Sequence, residues 1–262
     1  MKNNNKFRLD VWGAITLGTI ALYALFLLYP MAYLIRQSVL DPDTGSFTLA
    51  YFTKFFSKSY YFETLINSFK VSITATVLSI AIGTPLAYLF TIFKIKGKSV
   101  LNILIVVASM SAPFIGAYSW ILLLGRSGVI TTFFKNLGIA IPDIYGFGGI
   151  VLVMTLQLFP LVFLYAKGAL KNIDNSLIEA AENLGSSGIA CFFKVVVPLI
   201  MPTLLAAALL VFMRSFADFG TPMLIGEGYR TFPVVLYTEF INEVGGSDGF
   251  AAAIAVIAIV IT

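Results

Sequence analysis

From Val11 to Ile35 the chain carries no charged residue, and the same holds from Val71 to Phe93, Ser99 to Gly125 and Ile144 to Ala166. Each run is at least as long as the roughly 20 residues a helix needs to cross the hydrocarbon core of a bilayer. That core offers no water to backbone N–H and C=O groups, so each run must satisfy its own hydrogen bonds, as a helix does. Composition agrees. Of 262 residues, 59% are hydrophobic and only 11% are charged, whereas a soluble domain is about a quarter charged. The expected fold class is an all-α membrane protein.

Two shorter runs, Leu199 to Met213 and Gly249 to Thr262, complete the pattern. The expected spans cover residues 11–35, 66–93, 99–124, 145–167, 199–221 and 249–262, in a single transmembrane domain over 1–262. The first run is too long for a signal-peptide core and lacks a small-residue cleavage site, so it is expected to remain as a span. The sixth run falls short of a crossing, which reads as a helix cut short and a fragment of a longer parent. Between spans, Arg36 to Glu63 holds an Asp41-Pro42-Asp43-Thr44-Gly45 turn and aromatic residues. Tyr51, Phe52, Phe55, Phe56, Tyr60 and Tyr61 fit an interfacial helix, and core packing explains them equally well. Thr131 to Leu137 reads as a second short interfacial helix, and Pro160 as a kink in the fourth span. Ser72, Thr74, Thr76, Ser79 and Thr84, with Gly83, allow close helix packing or line a pore.

Histidine is absent. That removes Ser-His-Asp and Cys-His nucleophiles, HExxH zinc sites and haem axial histidines together. Cys191 is the sole cysteine, flanked by Phe192 and Phe193, and reads as a small apolar packing residue. No cofactor and no metal site is expected, and catalysis by this chain is not. The net charge of +4 reflects loop Lys and Arg facing the cytoplasm rather than a nucleic-acid surface. Sidedness rests on Lys94-Ile95-Lys96-Gly97-Lys98 and on the N-terminal Lys2, Lys6 and Arg8. The whole-chain count barely discriminates: nine basic residues fall inside and the other eight of 17 outside. The N-terminus is therefore expected in the cytoplasm, together with residues 169–198.

Those residues form the longest moderately polar segment between strongly apolar runs. Ser176 followed by Glu179 has capping-box spacing, so a short helix is expected to start there. Gly185 is suited to end it in a left-handed conformation. A second helix from about Ser187 to Val196 would follow, with Pro198 marking a break before the fifth span. Two short helices joined at a glycine make a rigid protrusion, and an ordinary amphipathic loop helix is the plainer reading.

Glu179-Ala180-Ala181, then Gly185 after three intervening residues and Pro198 after a further twelve, resemble the EAA loop of permease subunits of ATP-binding-cassette (ABC) importers. Val195 and Val197 stand where that family usually has Ile and Leu. The resemblance implies a type I ABC importer permease fold of about six transmembrane helices in the bacterial cytoplasmic membrane. It makes Glu179, Ala180, Ala181 and Gly185 the contacts of a coupling helix with an ATPase subunit, with Glu182 a further charged contact and Pro198 setting the angle of the fifth span. The chain has no G-x-x-x-x-G-K-[ST] loop, so ATP hydrolysis falls to a separate subunit. The implied partners are ABC ATPase subunits, an extracytoplasmic solute-binding protein, a second permease half or subunit, and the lipid bilayer. The parent is then read as a longer permease, in one form a chain that repeats the six-span unit.

Arg214 and Asp218 lie four apart at the end of the fifth span. Intramembrane charges are costly and face a cavity or one another. The pair reads as a self-satisfied ion pair or as part of the translocation path. Gln157 is a weaker path candidate, since a single buried amide also serves as interhelical glue. The segment Ser215-Phe216-Ala217-Asp218-Phe219-Gly220-Thr221-Pro222, with Thr64 to Phe69, resembles permeases of the ferric-iron group, which is close to the polyamine, sulfate, thiamine and phosphonate permeases. An ATP-driven, binding-protein-dependent importer of a small solute is the reading, with ferric iron first. A gradient-driven secondary transporter would need coupling carboxylates, and an intramembrane enzyme would need paired catalytic groups; the chain supplies neither convincingly.

Overall fold

The structure is a computed structural model that describes residues 11–41, 44–93, 95–110, 112–241 and 248–261. The N-terminal basic cluster, Pro42, Asp43, Lys94 and Thr262 lie outside the described residues, as does the side chain of Glu182. In chain order the helices are α1 (Val11–Val39), α2 (Ala50–Ser57), α3 (Ser59–Ile92), α4 (Lys98–Ser109), α5 (Pro113–Leu124), α6 (Val129–Asn136), α7 (Phe147–Leu170), α8 (Asn175–Asn183), α9 (Gly188–Phe216), α10 (Gly220–Ile225), α11 (Phe232–Ile241) and α12 (Asp248–Ile261). Among the described residues, five segments are long and apolar enough to cross a membrane: α1, α3, α7, α9 and Pro113–Asn136, which joins α5 to α6.

The chain divides into two compact units, Met1–Ser59 with Leu236–Thr262, and Tyr60–Val235. In the first, α12 packs on α1 and α2. Gly249 makes this possible, because a Cβ there would lie 2.5 Å from the Tyr51 ring. Lys54 sits 4.0 Å over the Phe250 ring, a cation–π contact. Much of α1 presents its apolar side chains outward, with Trp12 and Phe26 about three-quarters exposed, as a helix solvated by hydrocarbon should. The expected interfacial helix at Arg36–Glu63 is two pieces instead. Phe55 and its neighbours form α2, whereas Tyr60 and Tyr61 open α3, 34 residues long.

In the second unit α3, α7 and α9 form the core. Gly83 brings α3 so close to α7 that a Cβ would lie 2.9 Å from both the Phe159 carbonyl oxygen and Val162 Cβ. Phe90 meets Phe163 edge-on at 5.1 Å, and Phe69 packs between Phe212 and Phe216. The hydroxyl row on α3 belongs to this packing: Ser72, Thr76, Ser79 and Thr84 are buried within the chain. Thr76 Oγ1 donates to the Ser72 carbonyl at 2.7 Å, and Ser68 Oγ accepts the Phe232 N–H at 2.8 Å.

Two expected boundaries change. The apolar run 99–124 holds two helices of 12 residues rather than one continuous helix, α4 ending at Ser109 and α5 starting at Pro113. Pro at the first helical position is well tolerated, so α5 starts there rather than continuing α4. The fifth helix stops at Phe216 rather than at 221, and Thr221 and Pro222 belong to a separate helix, α10. Between the fifth and sixth expected spans lies a further helix, α11. Thr131–Leu137 does hold a short helix, α6, and α7 runs unbroken through Pro160.

Beside the Phe147 end of α7, Arg126 joins three loops. It pairs with Asp143 at 3.1 Å and Glu227 at 2.8 Å, and stacks 4.9 Å from the Tyr145 ring. The Gly146 N–H donates to the Ile225 carbonyl at 2.8 Å, so the α10–α11 loop is fastened to the start of α7. Replacing Gly83 by Val should push α3 off α7 and cost about 1–3 kcal/mol as an overpacked contact. A thermal-unfolding scan in detergent checks this, and an unchanged midpoint would show that the two helices are not so closely apposed.

Candidate functional site

Two features of the second unit bring together the sequence candidates. The first is the α8–α9 connection. Asp174, not Ser176, caps α8: its Oδ1 accepts the Ser176 N–H at 3.0 Å, so the helix starts two residues earlier than the capping-box spacing implied. That backbone bond, and a side-chain bond from Ser176, hold the Asp174 carboxyl below the usual carboxylate range, because both favour the charged form. Gly185 ends α8 with φ +85°, and the Ser186 N–H reaches the Ala181 carbonyl at 3.0 Å, the six-to-one bond of a Schellman motif. Ser187 Oγ accepts the Ala190 N–H at 3.3 Å and caps α9. Every turn of the loop is therefore hydrogen-bonded.

Pro198 does not break the chain. The helix continues from Gly188 to Phe216 through a π-turn at Phe192–Val196, in which the Val197 N–H donates to Phe192. A proline in a helix lacks one donor and its ring crowds the carbonyl four residues back. The widened turn just ahead shifts that carbonyl ladder. The same device, a π-turn at Ala24–Leu28, precedes Pro30 in α1. The fifth span is thus continuous with the second loop helix.

On α8, Ile178 and Ala181 pack inward against the core, whereas Glu179, Ala180 and Gly185 are exposed. Glu179 borders a groove of about 280 Å³ with Tyr88, Thr91 and Ile178. Cys191 is buried behind the loop. Sequence reasoning singled out the small residues and missed the large ones: Leu184 is 88% exposed and Ile189 77%. Their signal was present as apolar residues at the tip of an otherwise polar segment.

The second feature is a cavity of about 700 Å³ that includes Gln157, Arg214 and Asp218 in its lining. Both helix breaks open onto it, with Met110 and Phe114 at the α4–α5 break and Ala217 and Phe219 at the α9–α10 break. Phe114 and Phe219 meet edge-on across it, centroids 5.6 Å apart. Gly220 permits this approach, since a Cβ there would come within 3.2 Å of Phe114 and Pro113. Gln157 lies ten residues into α7, roughly 15 Å along a helix of about 36 Å at 1.5 Å per residue, so the cavity sits deep in the helical layer. Irregular backbone at such depth is tolerated only where it is covered by protein or lines a cavity.

The ion pair that the Arg214–Asp218 spacing permits is not formed. Asp218 turns to α10 instead: Oδ1 accepts the N–H of Gly220 at 2.9 Å and of Thr221 at 3.4 Å, and Oδ2 accepts the Thr221 hydroxyl at 2.7 Å. The helix ends at Phe216, so the i, i+4 geometry assumed for the pair is lost before Asp218. Among the described residues no carboxylate lies within ion-pairing distance of Arg214, whose side chain is exposed to the cavity. A dry, unpaired guanidinium would cost several kcal/mol; an open cavity lets water or a solute compensate it.

Comparison with known proteins places these features in a family. The model of the family described as "Binding-protein-dependent transport system inner membrane component" matches residues 46–262. A putative ferric transport system permease protein, FbpB 1, of Haemophilus influenzae is 28% identical over 220 residues, which cover 83% of this chain and 34% of that protein. The chain thus spans about a third of the length of the ferric-transport relatives it matches. The spermidine/putrescine permease PotB of the same organism is also 28% identical, over 96% of this chain and 89% of its own length. A bacterial alginate ABC transporter, solved in complex with an alginate pentasaccharide-bound periplasmic protein, superposes with TM-score 0.75 at 16% identity, over 95% of this chain and 89% of that one. The fold is therefore the all-α type I permease fold.

Two outcomes follow from the loop and cavity geometry. Asp174→Ala should speed hydrogen exchange at the first amides of α8. Because the folded carboxyl titrates low, its capping is fully present above the ordinary carboxylate range and fades as pH falls through the lowered value; an exchange–pH series would show this. Asp218→Ala leaves the buried Gly220 and Thr221 donors unpaired, and should lower stability by about 1–3 kcal/mol in thermal unfolding.

Proposed function

The chain belongs to the binding-protein-dependent transport system inner membrane component family, and on that premise we propose that it is the permease portion of an ATP-driven importer whose cavity is the solute path and whose α8–α9 loop is the coupling element. The observation that carries this reading is the loop itself: a fully capped two-helix knob at the Leu170 end of α7, continuous with α9 and tipped by exposed Leu184 and Ile189. Exposed apolar side chains on a rigid tip call for a partner surface. That partner is an ABC ATPase subunit in the cytoplasm. Glu179, Ala180 and Gly185 are its contacts, Ala181 seats the helix on the core behind them, and Leu184 fills its cleft. Because π-turn geometry carries the helix through Pro198 without a break, motion at the knob passes directly into α9 and so to Arg214 and the cavity. ATP closure of the partner moves the knob, α9 shifts against α7, and access to the cavity alternates. An extracytoplasmic solute-binding protein delivers the solute at the Phe147 end of α7, and a second permease half completes the path.

The solute is small. Ferric iron is the first reading, on the resemblance of Ser215–Pro222 to ferric permeases and on the ferric-transport relatives. Polyamine is the second, since a polyamine permease is equally similar.

The test co-expresses the permease with a candidate ABC ATPase subunit. Leu184→Asp should cut the ATPase recovered with the permease by about tenfold or more, as expected when a charge replaces a hot-spot side chain, and Gly185→Val should weaken it too. Undiminished recovery with both changes in one protein, at unchanged thermal stability, would overturn the coupling role.

A further inference from the structure

Both substrate readings above are cations in their simplest form, yet the cavity is not built to receive one. Its acidic group is already engaged. Asp218 uses Oδ1 for two backbone donors of α10 and Oδ2 for the Thr221 hydroxyl, so turning toward a cation would unmake the start of that helix. Its basic group is open. Arg214 has no carboxylate within reach among the described residues and faces the space that Gln157 also lines. A guanidinium offers five N–H donors in a planar fork that matches a carboxylate or phosphate oxygen pair. The remaining surroundings, among them Met110, Phe114, Leu158, Leu161 and Phe219, provide no carboxylate, and the one hydroxyl in the lining, of Ser109, donates to the Val106 carbonyl.

We propose that Arg214 is the recognition group of the cavity, and that it selects a solute presenting an anionic oxygen group of carboxylate or phosphate type. On this view iron crosses as an anionic chelate rather than as a bare cation, and a free polyamine is a poor solute. The proposal rests on the cavity being the solute path. It differs from the ferric and polyamine readings in naming the charge that the chain itself reads.

The test uses the permease assembled with its ATPase in lipid nanodiscs. Phenylglyoxal, an arginine-directed reagent, is applied at constant ionic strength, and modification of Arg214 is followed by peptide mass spectrometry against exposed Arg36 as internal reference. The probes are ferric citrate, citrate, inorganic phosphate and spermidine, each compared with chloride. At least one of the three anions should slow modification of Arg214 by about tenfold, consistent with a charge-assisted contact, while Arg36 is unaffected. Ferric citrate alone would identify a chelate, and citrate or phosphate alone a free oxyanion. The same anion should raise the unfolding midpoint of the wild-type complex; the rise should be lost in Arg214→Gln and partly kept in Arg214→Lys. Protection by spermidine, or no protection beyond chloride by any anion, overturns the proposal. Should that happen while the ATPase still co-purifies in a Leu184-dependent way, the importer reading stands and only the charge selection falls.

Discussion

Every backbone N–H and C=O that enters hydrocarbon must find its partner inside the protein, and the architecture follows from that demand. It forces the apolar runs into helices, and it determines where those helices are permitted to stop. The α4–α5 break between Ser109 and Pro113 and the α9–α10 break at 217–219 both open onto one cavity. At the second break Asp218 takes over the capping of the buried first donors of α10. A carboxylate that looks like a transport residue in sequence thus has a backbone to satisfy first. The same demand explains the π-turns ahead of Pro30 and Pro198, where a widened turn lets a helix carry a proline without interruption.

Close packing then links the loop to the cavity. Gly83 lets α3 lie against α7, and α7 packs along α9, with Ser215 Oγ 3.2 Å from Met154 Sδ. Because cores of this density do not deform smoothly, a push at the α8–α9 knob in the proposed mechanism moves α9 as a rod. The knob is suited to that role by its own bonding: a carboxylate cap, a left-handed glycine and a serine cap leave it no slack. Its exposed leucine and isoleucine complete a surface that small residues alone would leave featureless.

Local sequence determined much of this. Uncharged length specified helices, though not the break inside the run 99–124, because the bilayer as solvent leaves one solution for such a run. Gly185 was legible as a left-handed terminator, since few other residues adopt that conformation without strain. The Glu179–Gly185 pattern pointed to the family that the comparisons establish. Gln157, Arg214 and Asp218 were legible as polar groups out of place in an apolar run, and the fold gathers all three around one cavity.

Tertiary structure decided what depended on neighbours distant in the chain. Whether Pro113 or Pro198 ends a helix cannot be read from the proline, because the outcome turns on whether the surrounding helices leave room for a break or favour a π-turn. The partner of Asp218 depended on where α9 stopped, and so the expected ion pair gave way to a helix cap. Ser72, Thr76, Ser79 and Thr84 of α3 are buried in the packing of the core, whereas Thr74 is not. Exposure of Leu184 was decided the same way, since among the described residues no helix covers the tip of the loop. Periodicity and solvent act along the chain and are written in it; coverage and close approach act across it, and only the folded arrangement supplies them.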